Sequence, residues 1–177
     1  MSQKKKHIAI LGTGWLGMPL AKELLKKGFS VKGSTTSEEK LPLLKEAGID
    51  PYLIKVASEG ISGDIDSFLK ETHVLIVDIP PGLRKDPNLD FSGAIGKLSE
   101  AIEKSGVKKV LFVSSISVYE ETESFKIYTE DTAPNANSRS GQELAAAERI
   151  LFENAIFDTT VLRFGGLIGA GRHPVKY

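Results

Sequence analysis

At 177 residues, with 41% apolar and 26% charged side chains, the chain reads as one domain able to bury roughly 70% of its unfolded surface. Its 23 basic and 23 acidic residues cancel, so no electrostatic footprint for nucleic acid is present, and no apolar run reaches the ~18 residues needed to cross a bilayer. The absence of cysteine excludes disulfides and thiolate chemistry and makes a cytoplasmic setting the expectation, while His7, His73 and His173 lack ligand spacing, so no metal site is expected.

The apolar pattern alternates between short strand-like runs and longer helical stretches. HIAIL at His7–Leu11 predicts a strand buried on both faces. Leu16, Leu20, Leu24 and Leu25 recur at helical spacing, closed by Gly28. Phe29–Gly33 predicts a second strand, and Ser37–Ala47 a helix capped by Thr36 or Ser37, with Glu38 and Glu39 favourable in its first turn. Pro51–Val56 is a weaker strand and Ile65–Glu71 a short helix. Val74–Ile79 is a strong strand stopped by Pro80 and Pro81. Leu89–Ser105 predicts a helix closed by Gly106, Val107–Ser114 a strand, Ser140–Asn154 a helix and Thr159–Phe164 the last strand. Between them, Tyr119–Arg139 is a non-periodic segment of about twenty residues, the length at which loops are usually functional or mobile. The alternation implies an α/β doubly wound parallel sheet, a Rossmann fold of strand order 3-2-1-4-5-6 in three α/β/α layers.

After the first strand comes GTGWLG, in which Gly12, Gly14 and Gly17 have GxGxxG spacing. Gly12 permits the tight turn out of the strand, Gly14 lets a pyrophosphate approach the backbone, and Gly17 allows close packing of helix on strand. The anion would then lie at a helix N-terminus, against Thr13, Trp15 and Leu16. The flanking strand, helix and second strand are the context that gives this motif its meaning. An acid about twenty residues on would select NAD, but GSTTSEEK places Ser34, Thr35, Thr36 and Ser37 there first, with Lys40 within reach of a 2′-phosphate. The cofactor expectation is therefore NADP or NAD, with a modest preference for NADP.

Several motifs in order resemble the short-chain dehydrogenase/reductase superfamily, in its extended NAD-dependent epimerase/dehydratase-like branch. They are GTGWLG, VLIVDIPPG, KKVLFVSSISVYE, YTEDTAPNANSRSGQELAAAE and TVLRFGGLIGAGR, together spanning nearly the whole chain. The resemblance implies that Ile79, Pro80 and Pro81 lie beside the adenine ribose. It implies that Ser115, four positions before Tyr119, is the serine that orients the substrate oxygen, with Ser114 and Ser117 as neighbours and Ser114 close to the cofactor. The family's helix carries a YxxxK acid/base pair, but here Ser140 falls at the tyrosine and Leu144 at the lysine. A serine hydroxyl without a neighbouring cation is a poor proton donor near neutrality. The pattern thus resembles atypical members that lack the pair, with Arg139, Tyr119, Tyr128 and Glu143 as alternative acids.

In that branch the glycine-rich turn after the sixth strand leads to a small C-terminal substrate domain. The expectation is that residues 1–177 form an NAD(P)-binding Rossmann domain that stops short of it, with a homo-oligomer possible through the exposed sheet edge. Two functions remain open. One is hydride chemistry on a small carbonyl or sugar-nucleotide substrate, with neither nucleic acid nor membrane as partner. The other is a non-catalytic NAD(P)-binding sensor or scaffold.

Overall fold

Ile8 to Leu11 are all buried because the two faces of their strand feed two different cores: Ala9 and Leu11 point into one cluster, Ile8 and Ile10 into the other. This strand, β1 (His7–Leu11), is the centre of the fold. The computed structural model describes residues 6–122, 126–169 and 171–172. In chain order there follow α1 (Gly17–Lys26), β2 (Ser30–Thr35), α2 (Leu41–Glu46), β3 (Asp50–Leu53), β4 (Lys55–Ala57), β5 (Gly60–Ser62) and α3 (Ile65–Leu69). Then come β6 (Val74–Val77), α4 (Phe91–Ser105), β7 (Lys109–Ser115), α5 (Arg139–Phe152) and β8 (Asp158–Phe164).

Six strands form one sheet in the order β3-β2-β1-β6-β7-β8, every pair of neighbours parallel. Counted within the sheet, that is 3-2-1-4-5-6, the expected doubly wound arrangement. Helices α1 and α2 cover one face through Ala21 and Leu44, while α3, α4 and α5 cover the other through Phe68, Ile95, Leu98, Ala147 and Leu151. The order reverses between β1 and β6, and the crevice at that switch point, beyond the strands' carboxyl ends, is where such sheets take ligands.

Two predicted elements are corrected. The helix expected over Ser37–Ala47 is a 3-10 turn at Glu38–Lys40 followed by α2, with Pro42 in the first turn of α2. Ser37 stands at the cap position but its side chain makes no capping bond, and Thr36 is exposed. The strand expected over Pro51–Val56 is two strands: β3 joins the main sheet, and β4 pairs with β5 in a separate antiparallel hairpin. Three-residue strands are too short to show a period of two, so the hairpin leaves no pattern in the sequence. His173 lies outside the described residues.

Candidate functional site

The glycine loop is built by collisions that only glycine avoids. Gly12 has φ +104°, and a Cβ there would stand 2.2 Å from the Asp78 carbonyl oxygen. Gly17 opens α1, and a Cβ there would stand 2.2 Å from the Gly12 carbonyl oxygen. Gly14 differs: it is exposed, and a Cβ would meet nothing within 4 Å. Two glycines serve the packing of loop, helix and β6, and the third keeps an approach open. Met18 N–H already bonds to Gly14 O at 3.1 Å, so the helical turn starts at Gly14 and its first N–H groups face out of the helix end.

The loop is anchored to β2 by one residue. Ser34 Oγ accepts the Gly12 N–H at 2.9 Å, and Ser34 O accepts the Thr13 N–H at 2.8 Å and the Thr13 hydroxyl at 2.7 Å. Ser34 is therefore occupied in holding the loop, which removes it from the four small polar groups expected to face a 2′-phosphate. Thr35 Oγ1 accepts the Ser37 N–H at 3.2 Å, turning the chain after β2.

Gly12, Thr13 and Gly14 line one cavity of about 760 Å³. Thr35, Thr36 and Lys40 line its β2 end, and Ile79, Pro80 and Pro81 line its β6 side. The hairpin adds Lys55, Ser58 and Glu59, while Phe91 and Ala94 of α4 complete an apolar wall with Ile54 and Val56. Trp15, Leu16, Gly17, Ser37 and Ser114, also named from sequence, do not line it. Leu16 is the N-cap residue of α1, and Trp15 packs instead on the turn after β8. The Arg172 guanidinium sits 4.3 Å from the Trp15 ring centre, and a Cβ on Gly169 would stand 2.8 Å from that ring.

Of the cavity residues that the sequence reading did not single out, Asp78 has the most distinctive chemistry. Asp78 directly follows β6 and accepts the Gly17 N–H; burial pushes its carboxyl up to about 6, against the opposing pull of that hydrogen bond. The signal was present: a carboxylate ending an otherwise apolar strand.

The expected catalytic corner is tied up in structural bonds. Ser115 ends β7 and its Oγ accepts the Ser117 N–H at 3.1 Å, capping a 3-10 turn at Ile116–Val118. That turn abuts α5 so closely that a Cβ on Gly141 would stand 2.1 Å from Ser117 O. Ser140 is half-buried in the first turn of α5, and Leu144 is buried in the core. Ser114 donates to Glu148 Oε1 at 2.6 Å, and Glu148 in turn takes a bidentate pair from Arg163, at 2.8 Å from Nη2 and 3.1 Å from Nε. Arg163 also donates to the Tyr119 hydroxyl, and Tyr119 stacks on Tyr128 with ring centres 4.2 Å apart. Glu143 Oε2 accepts the Ser92 N–H at 2.8 Å, at the start of α4, and Arg139 is exposed. Among the described residues no cluster of His, Asp and Glu could hold a metal, and no helix is long and apolar enough to cross a membrane.

Comparison with known proteins gives this geometry a family. The model of the NAD(P)H-binding family matches residues 12–176. The chain belongs to the NAD(P)H-binding family. It is 33% identical over 175 residues to protein YeeZ of Escherichia coli K12, a match covering 97% of this chain and 62% of YeeZ. The chain thus spans about three fifths of that relative's length. A Methylobacillus flagellatus protein, provisionally assigned as an NAD-dependent epimerase/dehydratase, superposes with a TM-score of 0.72 at 29% identity, covering 96% of this chain and 57% of that one. MoeE5, in complex with UDP-glucose and NAD, superposes at 0.73 with 24% identity, covering 96% of this chain and 57% of MoeE5, a likeness of fold.

The residues of this NAD(P)H-binding chain fit the cofactor class. A loop that admits no side chain at Gly12 and presents an open Gly14 at the start of a ten-residue helix suits a pyrophosphate. A cavity of about 760 Å³ with an apolar wall suits a nucleoside.

Proposed function

We propose that the chain is the cofactor-binding part of an NAD(P)-dependent oxidoreductase or epimerase acting on a small carbonyl or sugar-nucleotide substrate. The single observation that carries this reading is the cavity joining the glycine loop to Thr35 and Thr36 at one end and to Ile79–Pro81 at its side. Gly12, Thr13 and Gly14, where the first helical turn opens, would hold the pyrophosphate; Ile79 and Pro80 would flank the adenine ribose. Thr35, Thr36, Lys40 and Lys55, which line the cavity, would lie at the 2′ end, and two lysines there without an acid in the Ser34–Ser37 run would favour NADP. When bound, the nicotinamide supplies a hydride donor or acceptor. Ser115, at the end of β7, would orient the substrate oxygen, and Ser140 stands where the family's acid does.

A second reading, a sensor or scaffold that binds NAD(P) without turnover, has its own support. Leu144 is buried in the core, and Glu143, Tyr119 and Tyr128 are engaged in contacts within the protein, as a chain without turnover would allow. The deciding experiment follows reduced-cofactor absorbance with the full-length protein over a panel of carbonyls and sugar nucleotides. Turnover that is lost in Ser115→Ala supports the enzyme; tight cofactor binding without turnover on any member supports the sensor.

A further inference from the structure

Asp78 lies under both packing glycines of the loop. Its carbonyl oxygen is what a Cβ on Gly12 would strike, and its Oδ2 lies 3.0 Å from where a Cβ on Gly17 would be. Its carboxyl accepts the Gly17 N–H at the N-terminus of α1 and lines the same cavity as Gly12 and Gly14. A carboxylate therefore already engages the helix end that a diphosphate would approach. Two anions cannot share that site without strong mutual repulsion in a partly desolvated cleft.

We propose that Asp78 makes dinucleotide binding proton-linked, taking up a proton as the pyrophosphate docks on the glycine loop. This rests on the dinucleotide reading above. The acid is suited to the role, since burial already holds it near 6. No charged side chain contributes to that shift: Lys40, Lys55, Glu59, Lys85, Asp86 and Asp90 line the cavity, and α1 carries no acid in its first turn. His7, which opens β1, and His73, just before β6, sit at the opposite, N-terminal edge of the sheet. Binding then favours the protonated form, so affinity is full below about 6 and falls as pH rises through that value.

The test is calorimetric titration of NAD⁺, whose diphosphate does not titrate in this range, from pH 5.5 to 8. Wild type should lose roughly twentyfold in affinity between pH 5.5 and 7.5, and should take up about one proton per NAD⁺ in paired buffers of different ionisation enthalpy at pH 7.5. Asp78→Asn keeps an acceptor for the Gly17 N–H and should bind with a flat profile at the wild-type low-pH affinity. A flat wild-type profile without proton uptake, or an unchanged slope in Asp78→Asn, overturns the proposal while leaving dinucleotide binding intact. Absence of NAD⁺ binding at every pH overturns both. The proton count needs only wild-type protein, so it stands even if the variant fails to fold.

Discussion

Gly12, Gly14 and Gly17 share one motif but lack side chains for different reasons, and the difference can be measured. Gly12→Ala must place a Cβ 2.2 Å from Asp78 O at φ +104°, so it should lower stability by about 2–4 kcal/mol and blunt cofactor binding only as a consequence of misfolding. Gly14→Ala meets nothing, so its Tm should stay within about 1–2 °C of wild type while dinucleotide affinity drops tenfold or more. Thermal unfolding and calorimetry on the two variants check both claims. Asp78 carries a second prediction. Its folded pKa of about 6 lies above the unfolded value of 3.8, so the native state binds more protons between them and stability falls as pH rises through that window. Asp78→Asn should therefore raise Tm at pH 7.5 by roughly 3–6 °C, after allowance for partial exposure, and leave it unchanged at pH 3.5. The glycine spacing was readable because it is local. Ser34's role was not: a serine on the second strand reveals its hydrogen bonds to Gly12 and Thr13 only when β2 lies beside β1.

At the scale of elements, α5 shows what the sequence could and could not convey. Its start was read at Ser140, close to the observed Arg139, but the cap was not: Ser138 caps it, accepting the Gly141 N–H at 3.2 Å. What no pattern reveals is that Glu148, 5% exposed, joins Ser114 of β7 to Arg163 of β8 through side chains fifteen and thirty-four residues away. Removing one partner leaves the other charge buried and unpaired, so Glu148→Ala should cost about 3–5 kcal/mol, read by denaturant unfolding, whereas a surface control such as Glu100→Ala should fall within about 0.5 kcal/mol. The β4–β5 hairpin is the element that the sequence hid, and it contributes Lys55, Ser58 and Glu59 to the cavity. If Lys55 and Lys40 form the 2′-phosphate end, the double variant Lys40→Ala/Lys55→Ala should weaken NADP⁺ by tenfold or more and NAD⁺ by less than threefold, as competition binding would show.

For the whole molecule, the doubly wound sheet followed from alternation alone, since six short apolar runs separated by helical stretches leave few parallel topologies. Two separate cores on the faces of β1 explain why its run reads as continuously apolar. The catalytic half of the question resisted the same treatment because proton transfer depends on side chains brought together by the fold, and here those side chains are engaged elsewhere. Position of the crevice, by contrast, follows from strand order, which is why the crevice was readable and the side-chain network behind β7 was not. The account stands on that crevice receiving a dinucleotide diphosphate. Calorimetric titration of this chain with NAD⁺, NADP⁺ and their reduced forms at pH 6 measures it directly: one site should appear, tighter for NADP⁺ than for NAD⁺ and weakened by Gly14→Ala. No binding by any of the four nucleotides, or binding that Gly14→Ala leaves untouched, would contradict it.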